Sequence, residues 1–305
     1  MVTSFLGLRG NIMKDLIIGG ASNYSWDQLK YWVNSIRKSG FTGDVAIVGT
    51  NMKAETIKKL TEEGVLLSLY GKQKENGDIE APNNNAPHVE RFFYLWNYLE
   101  STKEEYTHVI TTDTRDVVFQ KNPSEWLQDN LISHFLIASS EGMRYQNEPW
   151  GNQNLYDTFG PFFHQKLKNN FIFNVGTIAG YKDTVKGLLS FIFHLSVNRP
   201  IPIVDQAVYN FILQQTPFNE DTLFANNNDS WAIQLGTTIG AVESGKGDLG
   251  MMFKNDADKY NRIYEDNQPI IDEGLVKTID NVPYCIVHQY DRVNGLREQI
   301  ERIYG

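Results

Sequence analysis

The chain has 305 residues, a formal net charge of −9 and a pI near 5.2, which allows one large α/β domain and excludes nucleic acid or an anionic membrane surface as a partner held by basic side chains. Its single cysteine, Cys285, excludes an internal disulfide framework and a cysteine-rich metal site and fits a reducing compartment. No apolar run reaches the about 18 residues of a membrane span, and residues 1–8 are too short for a signal-peptide core, so a soluble, cytoplasmic protein without membrane insertion is expected.

In chain order, the hydrophobic spacing switches between a period of two and a period of three to four, which predicts alternating strands and helices. Residues 15–20 begin with Leu16, Ile17 and Ile18 and break on Gly19-Gly20, a first buried strand. Trp26, Leu29, Trp32, Val33 and Ile36 recur at helical spacing up to Gly40. A strand over 44–48, a helix over 54–63 and a strand over 65–69 complete a βαβαβ start. Residues 71–87 are polar and rich in breakers, hence a loop. Val89, Phe92, Phe93, Trp96 and Leu99 then mark a helix leading into a strand that ends on Asp113.

The second half is less regular. Residues 135–138 read as a strand, 141–165 as a long loop with short helical pieces, and 171–179 as a strand broken by Gly176. Helices are expected over 183–197 and 204–214, further strands within 222–238 and 275–288, and a polar insertion over 240–273. Leu296, Ile300 and Ile303 place a closing helix.

The run at 106–120 carries the chemistry. An apolar strand ending on Asp113 and Asp116 sets oxygens at the carboxyl edge of a sheet, where a hard divalent cation can bridge phosphates; a solvated turn would read the same way. His288, near the carboxyl end, adds an imidazole, and a mixed oxygen and nitrogen set favours Mn²⁺ or Mg²⁺ over Ca²⁺. No P-loop is present, and Gly19-Gly20-Ala21-Ser22-Asn23 stands where a dinucleotide fold has its glycine fingerprint. Asn174 and Gly176 interrupt an apolar strand, which a bulge or a close ligand would explain. Asp205 suits a helix cap, a ligand contact, or both.

Taken in order, Arg91 before the acidic strand, Asp113-Thr114-Arg115-Asp116, Phe173-Asn174-Val175-Gly176, Val204-Asp205-Gln206 and Val287-His288 resemble the motifs of GT-A fold nucleotide-sugar glycosyltransferases, especially those related to glycosyltransferase family eight. The resemblance implies a Rossmann-like α/β fold, a mixed central sheet flanked by helices, as a single domain over 1–305. Residues 1–120 would meet the nucleotide, and 121–305, with the insertion near 240–273, the sugar and acceptor. It implies metal ligation by Asp113, Asp116 and His288, and donor contacts from Ala21, Asn23, Tyr24, Arg91, Thr114, Asn174 and Gly176. Tyr24 would stack on the base and Asn23 would bond its edge. Asp205 and Gln206 would be catalytic, Gln206 beneath the anomeric carbon if the reaction retains configuration, Asp205 as base if it inverts.

Two departures matter. The family's acids lie two apart and these lie three apart, so they can converge only through a turn. The family's histidine is followed by Gly-x-x-Lys, whereas Gln289-Tyr290-Asp291-Arg292 stands here, making Arg292 the candidate phosphate contact. The acceptor, a glycan, protein or small molecule, is expected at 143–163, where Tyr145, Trp150, Tyr156, Phe159 and Phe162 offer flat faces. The expected activity is hexose transfer from a UDP-sugar, UDP-glucose or UDP-galactose. The alternatives are a sugar nucleotidyltransferase, disfavoured because 19–25 lacks a basic residue, and a catalytically inactive glycan- or sugar-nucleotide-binding protein of the same fold, of which the unusual Asp113-Thr114-Arg115-Asp116 spacing would be the symptom.

Overall fold

The computed structural model describes residues 14–81 and 87–305; residues 1–8 and part of the 71–87 segment discussed above lie outside them. Strands β1 (Lys14–Ser22), β2 (Asp44–Thr50) and β3 (Leu66–Leu69) alternate with helices α1 (Trp26–Lys38) and α2 (Ala54–Glu62). A short hairpin, β4 (Lys72–Gln73) and β5 (Ile79–Glu80), stands where a loop is expected, and α3 (Pro87–Ser101) leads into β6 (Tyr106–Thr112). Then follow β7 (Val117–Phe119), α4 (Pro123–Asn130), β8 (Leu136–Arg144), α5 (Pro149–Leu167), β9 (Phe171–Tyr181), α6 (Lys182–Ser196), α7 (Asp205–Leu213), α8 (Phe218–Asp221), β10 (Thr222–Ala225) and β11 (Ala232–Gln234). Helices α9 (Ile239–Ser244), α10 (Gly247–Asn255) and α11 (Ala257–Ile263), strands β12 (Ile270–Asp272), β13 (Leu275–Lys277) and β14 (Ile286–His288), and α12 (Leu296–Tyr304) complete the chain.

Local chemistry explains the first turn of the fold. The side chain of Gln28 accepts from the Ser25 N–H at 3.0 Å, Asp27 sits in the first turn of α1 and Arg37 and Lys38 in its last, complementing the helix dipole. The apolar stripe Leu29, Trp32, Val33 and Ile36 is buried, and Trp32 Nε1 donates to Thr112 Oγ1 at 2.9 Å, tying α1 to the strand end that precedes Asp113.

The main sheet has seven strands in the order β10-β8-β9-β6-β1-β2-β3. β6, β1, β2 and β3 are parallel neighbours, β9 runs antiparallel between β6 and β8, and β10 is parallel to β8. One face packs Val89, Phe92, Leu188, Ile192 and Val208 from α3, α6 and α7; the other packs Leu29, Trp32, Leu60 and Leu127 from α1, α2 and α4. A second sheet, β11-β14-β7, touches the first where β11 meets β8 and buries Val118, Ile233 and Val287 against α12. No helix among the described residues is long and apolar enough to cross a membrane.

Three further sequence expectations change. The segment expected as loop over 141–165 continues β8 to Arg144 and then forms α5, kinked at Gly160 (φ 74°) before Pro161. β9 runs unbroken through Gly176, although its pairing with β8 is irregular between Ala138 and Ser140. The polar insertion is largely helical, with Leu249, Phe253, Tyr260 and Ile263 turned inward to a cluster of their own around Met143.

Candidate functional site

The carboxyl ends of β1 and β6, the middle of β9 and the second sheet meet at a cleft of about 1210 Å³. Gly19 makes the first of these junctions possible. A Cβ there would lie 2.2 Å from Thr114 Cγ2 and 2.9 Å from the Thr112 carbonyl, so only glycine lets Thr114 pack over β1 and donate to the Gly20 carbonyl at 3.0 Å. With Asp113 N–H donating to the Gly176 carbonyl at 2.9 Å, the 113–116 turn is pinned at both sides.

That turn answers the spacing question. Asp113 and Asp116 converge on His288, which β14 delivers from the second sheet; ligand atoms of the three lie within 4.8 Å of one another. His288 Nε2 is 3.5 Å from Asp113 Oδ2 and 3.7 Å from Asp116 Oδ1. Octahedral ligands about 2.1 Å from a cation sit roughly 3 Å apart when cis, so small movements would let all three reach one ion. The second oxygens are committed elsewhere: Arg91 Nη1 donates to Asp113 Oδ1, and Arg115 Nη2 is 3.5 Å from Asp116 Oδ2. Two carboxylates and a buried imidazole are a fit set for Mn²⁺ or Mg²⁺.

The electrostatics divide the acids. Burial works against the charge on Asp113, but Arg91 and His288 outweigh it and hold the carboxyl below the usual carboxylate range. Asp116 moves the other way, raised by burial with Asp113 and Asp291 adding to the effect. Burial opposes a charge on His288, and the two aspartates overcome it to raise its affinity for a proton. A divalent ion would replace that proton as the counter-charge.

Around this centre, Arg91 also donates through Nη2 to Asp205 Oδ2 at 2.9 Å, joining α3 to α7. Asp205 makes no capping bond; Val204 occupies the cap position. Asn174 donates to Glu141 Oε1 at 2.7 Å and accepts from Gly176 N–H at 2.8 Å, so its amide is fully oriented. Gln289 follows His288 with φ 62°, the left-handed backbone that glycine favours; its N–H donates to the Asp116 carbonyl at 2.7 Å and its side chain accepts from Gly236 N–H at 2.8 Å. Ala21, Asn23, Tyr24, Gln206 and Arg292 line the cleft, Asn23 with φ 60°.

The aromatic residues expected to offer faces to an acceptor are not gathered in the cleft. Of the five, only Trp150 lines the cleft; Tyr145 is buried, Phe159 stacks on Phe211 with ring centroids 4.7 Å apart, and Tyr156 and Phe162 are exposed away from it. Sequence reasoning missed Glu141, Glu148 and the α9–α10 residues Glu243, Lys246 and Asp248, which also line the cleft. Glu148 accepts from the N–H groups of Trp150 and Gly151 at the start of α5, and burial pushes its carboxyl up to about 7. The acid just ahead of Pro149 was a capping signal available in the sequence.

No protein-family model matches the sequence, and no curated protein matches it. Solved structures do match in fold. The galactosyltransferase LgtC, solved with donor and acceptor sugar analogs, aligns over 94% of this chain and 94% of its own at 11% identity and a TM-score of 0.53. The bifunctional glycosyltransferase WbbM aligns over 98% of this chain and 50% of its own, at 13% identity and a TM-score of 0.54. The fold is that of the GT-A glycosyltransferases. GlyE of Streptococcus pneumoniae TIGR4 matches at 13% identity with a TM-score of 0.48, and this chain, 91% covered, spans only 54% of that protein, about half, as with WbbM. Within the GT-A fold, the cleft described above lies at the carboxyl ends of the parallel strands β1 and β6, where ligands of open α/β sheets bind.

Proposed function

We propose that the chain is a divalent-metal-dependent glycosyltransferase that moves a hexose from a UDP-sugar, UDP-glucose or UDP-galactose, to a hydroxyl of a glycan, protein or small molecule with retention of configuration. The observation that carries this reading is the convergence of Asp113, Asp116 and His288 in one cleft with Arg91 and Arg292. It also weighs against the inactive-binder reading, whose symptom was the wide acid spacing. Asp113, Asp116 and His288 would hold Mn²⁺ or Mg²⁺, which when bound neutralises charge growing on the departing diphosphate.

The chain's own residues divide the remaining work. Arg292 extends into the cleft from the turn after β14 and offers a planar fork to phosphate oxygens. Tyr24 and Asn23 stand on the β1 loop to take the base, with Ala21 and Thr114 beside the ribose and phosphates. Arg91 fixes Asp113 and Asp205 together, so Asp205 has its charge committed and is poorly placed to pull a proton from an acceptor. This favours retention, with the carbonyl oxygen of Gln206 beneath the anomeric carbon and Asn174 and Gly176 against the sugar. In this reading residues 1–305 act as one unit, with 1–120 meeting nucleotide and 121–305 meeting sugar and acceptor. LgtC's donor and acceptor analogs support the two-substrate character by analogy only.

The test is release of UDP from UDP-glucose and UDP-galactose with a panel of sugar acceptors. Turnover is expected with Mn²⁺ or Mg²⁺ and should vanish in Asp116→Ala and His288→Ala. Undiminished transfer in excess EDTA would refute the proposal.

A further inference from the structure

We propose that Gln234 is a positioning residue for the metal centre, holding the imidazole proton of His288 on Nδ1 so that the Nε2 lone pair faces Asp113 and Asp116. The inference rests on the metal-dependent reading given above. Its geometry is direct: Gln234 Oε1 lies 2.7 Å from His288 Nδ1, and Gln234 Nε2 donates to Thr177 Oγ1 at 2.9 Å. With the amide nitrogen engaged by Thr177, the atom left to face the imidazole is the oxygen, which can only accept.

The placement is set by the sheets. Gln234 ends β11 and His288 ends β14, and the two are register partners in the parallel pairing. Ala232 and Ile233 before it are apolar and buried, and Gln234 is itself completely buried, a costly place for an amide unless both ends are bonded. Thr177, on β9 next to Gly176, is 1% exposed, so the bridge also crosses from the second sheet to the strand that carries Asn174 and Gly176.

The need follows from the neighbours of Nε2. With carboxylate oxygens at 3.5 and 3.7 Å, a neutral His288 left to itself would gain by turning an N–H toward them, placing a proton where a cation must bind. An acceptor on Nδ1 opposes that tautomer, since Nδ1 without its hydrogen would face another lone pair. Outer partners of ligating histidines are worth about 10- to 100-fold in metal affinity.

The experiment pairs Mn²⁺ titration, followed by the electron paramagnetic signal of free Mn²⁺, with ¹⁵N imidazole spectra of the metal-free full chain at alkaline pH. Gln234→Leu should weaken Mn²⁺ binding about 10- to 100-fold and move the His288 proton to Nε2, whereas Gln234→Glu, which keeps an acceptor, should stay near wild type in both. Thr177→Val leaves Gln234 in place but frees its amide, and should give an intermediate loss even if Gln234→Leu fails to fold. The proposal is overturned if folded Gln234→Leu binds Mn²⁺ like wild type, or if wild-type His288 carries its proton on Nε2. A wild type that binds no divalent cation would overturn the metal-dependent reading and this role with it; normal wild-type binding with an indifferent Gln234→Leu overturns this role alone.

Discussion

At position 176 a single methyl group decides whether the site can assemble. A Cβ there would stand 2.7 Å from His288 Cε1 and 2.9 Å from the nearest oxygens of both Asn174 and Asp113, all held by their own partners. Gly176→Ala should therefore keep its fold and lose at least about tenfold in Mn²⁺ affinity, measured by titration; equal affinity would mean that the three side chains give way freely. Glu148 supplies a second residue-scale prediction. Its carboxyl rises from an ordinary value of 4.5 to about 7 in the folded chain, because burial outweighs the two N–H groups it caps. Between these values the native state keeps a proton that the unfolded chain has released. Its contribution is thus present below about pH 4.5 and lost as the pH rises through 7, at most about 3 kcal/mol. Urea unfolding at pH 5 and pH 8 should show this fall in wild type and a flatter response in Glu148→Gln. Asp113, Asp116 and His288 were legible in the sequence because cation chemistry asks for those residue types. Glu141 and Gln234 were not, because what they do depends on partners 33 and 54 positions away.

Elements bring these residues together through ties that cross the chain, and Arg91 is the clearest of them. It stands on α3, bonds Asp113 after β6 and Asp205 at the start of α7, and is held charged by both although it is largely withdrawn from solvent. Removing it leaves the Asp205 side chain, 5% exposed, without a cation. Arg91→Met should cost about 3–5 kcal/mol of stability, and the second change Asp205→Asn should recover much of it. Additive losses in a double-mutant cycle, measured by chemical unfolding, would show the pair to be uncoupled. The turn after β14 carries a different kind of constraint. Gln289 holds the left-handed conformation that a glycine would adopt freely, so Gln289→Gly should trade a side-chain bond to Gly236 for backbone ease and leave the melting temperature nearly unchanged. Gln289→Ala keeps the strain, loses the bond and should fall by about 1 kcal/mol. The βαβαβ start was legible because its helices bury one clean stripe. α5 was not, because a glycine kink and exposed aromatics, Phe162 at 64%, erase its periodicity.

Across the whole molecule, cohesion is uneven in a way that maps onto the cleft. The main sheet is packed on both faces and the second sheet is closed by α12, whereas α9, α10 and α11 pack mainly on one small cluster built from Leu249, Phe253, Tyr260, Ile263, Tyr264 and Met143. Gly142, with φ 70°, lets the Tyr264 ring approach within contact of β8, where a Cβ would lie 2.4 Å from it. The sequence shows this segment as polar because most of its surface is solvent-facing, and its few inward residues are too sparse to announce short helices. A wall that rests on its own cluster can loosen without the sheets. Phe253→Ala, which removes a ring 4% exposed, should cost about 3 kcal/mol locally and speed amide hydrogen exchange over residues 239–263 by about 100-fold. β1, β6 and β9 should keep wild-type protection, and Mn²⁺ binding at Asp113, Asp116 and His288 should persist. Exchange that quickens equally in the central strands would show instead that this wall and the sheets unfold as one unit.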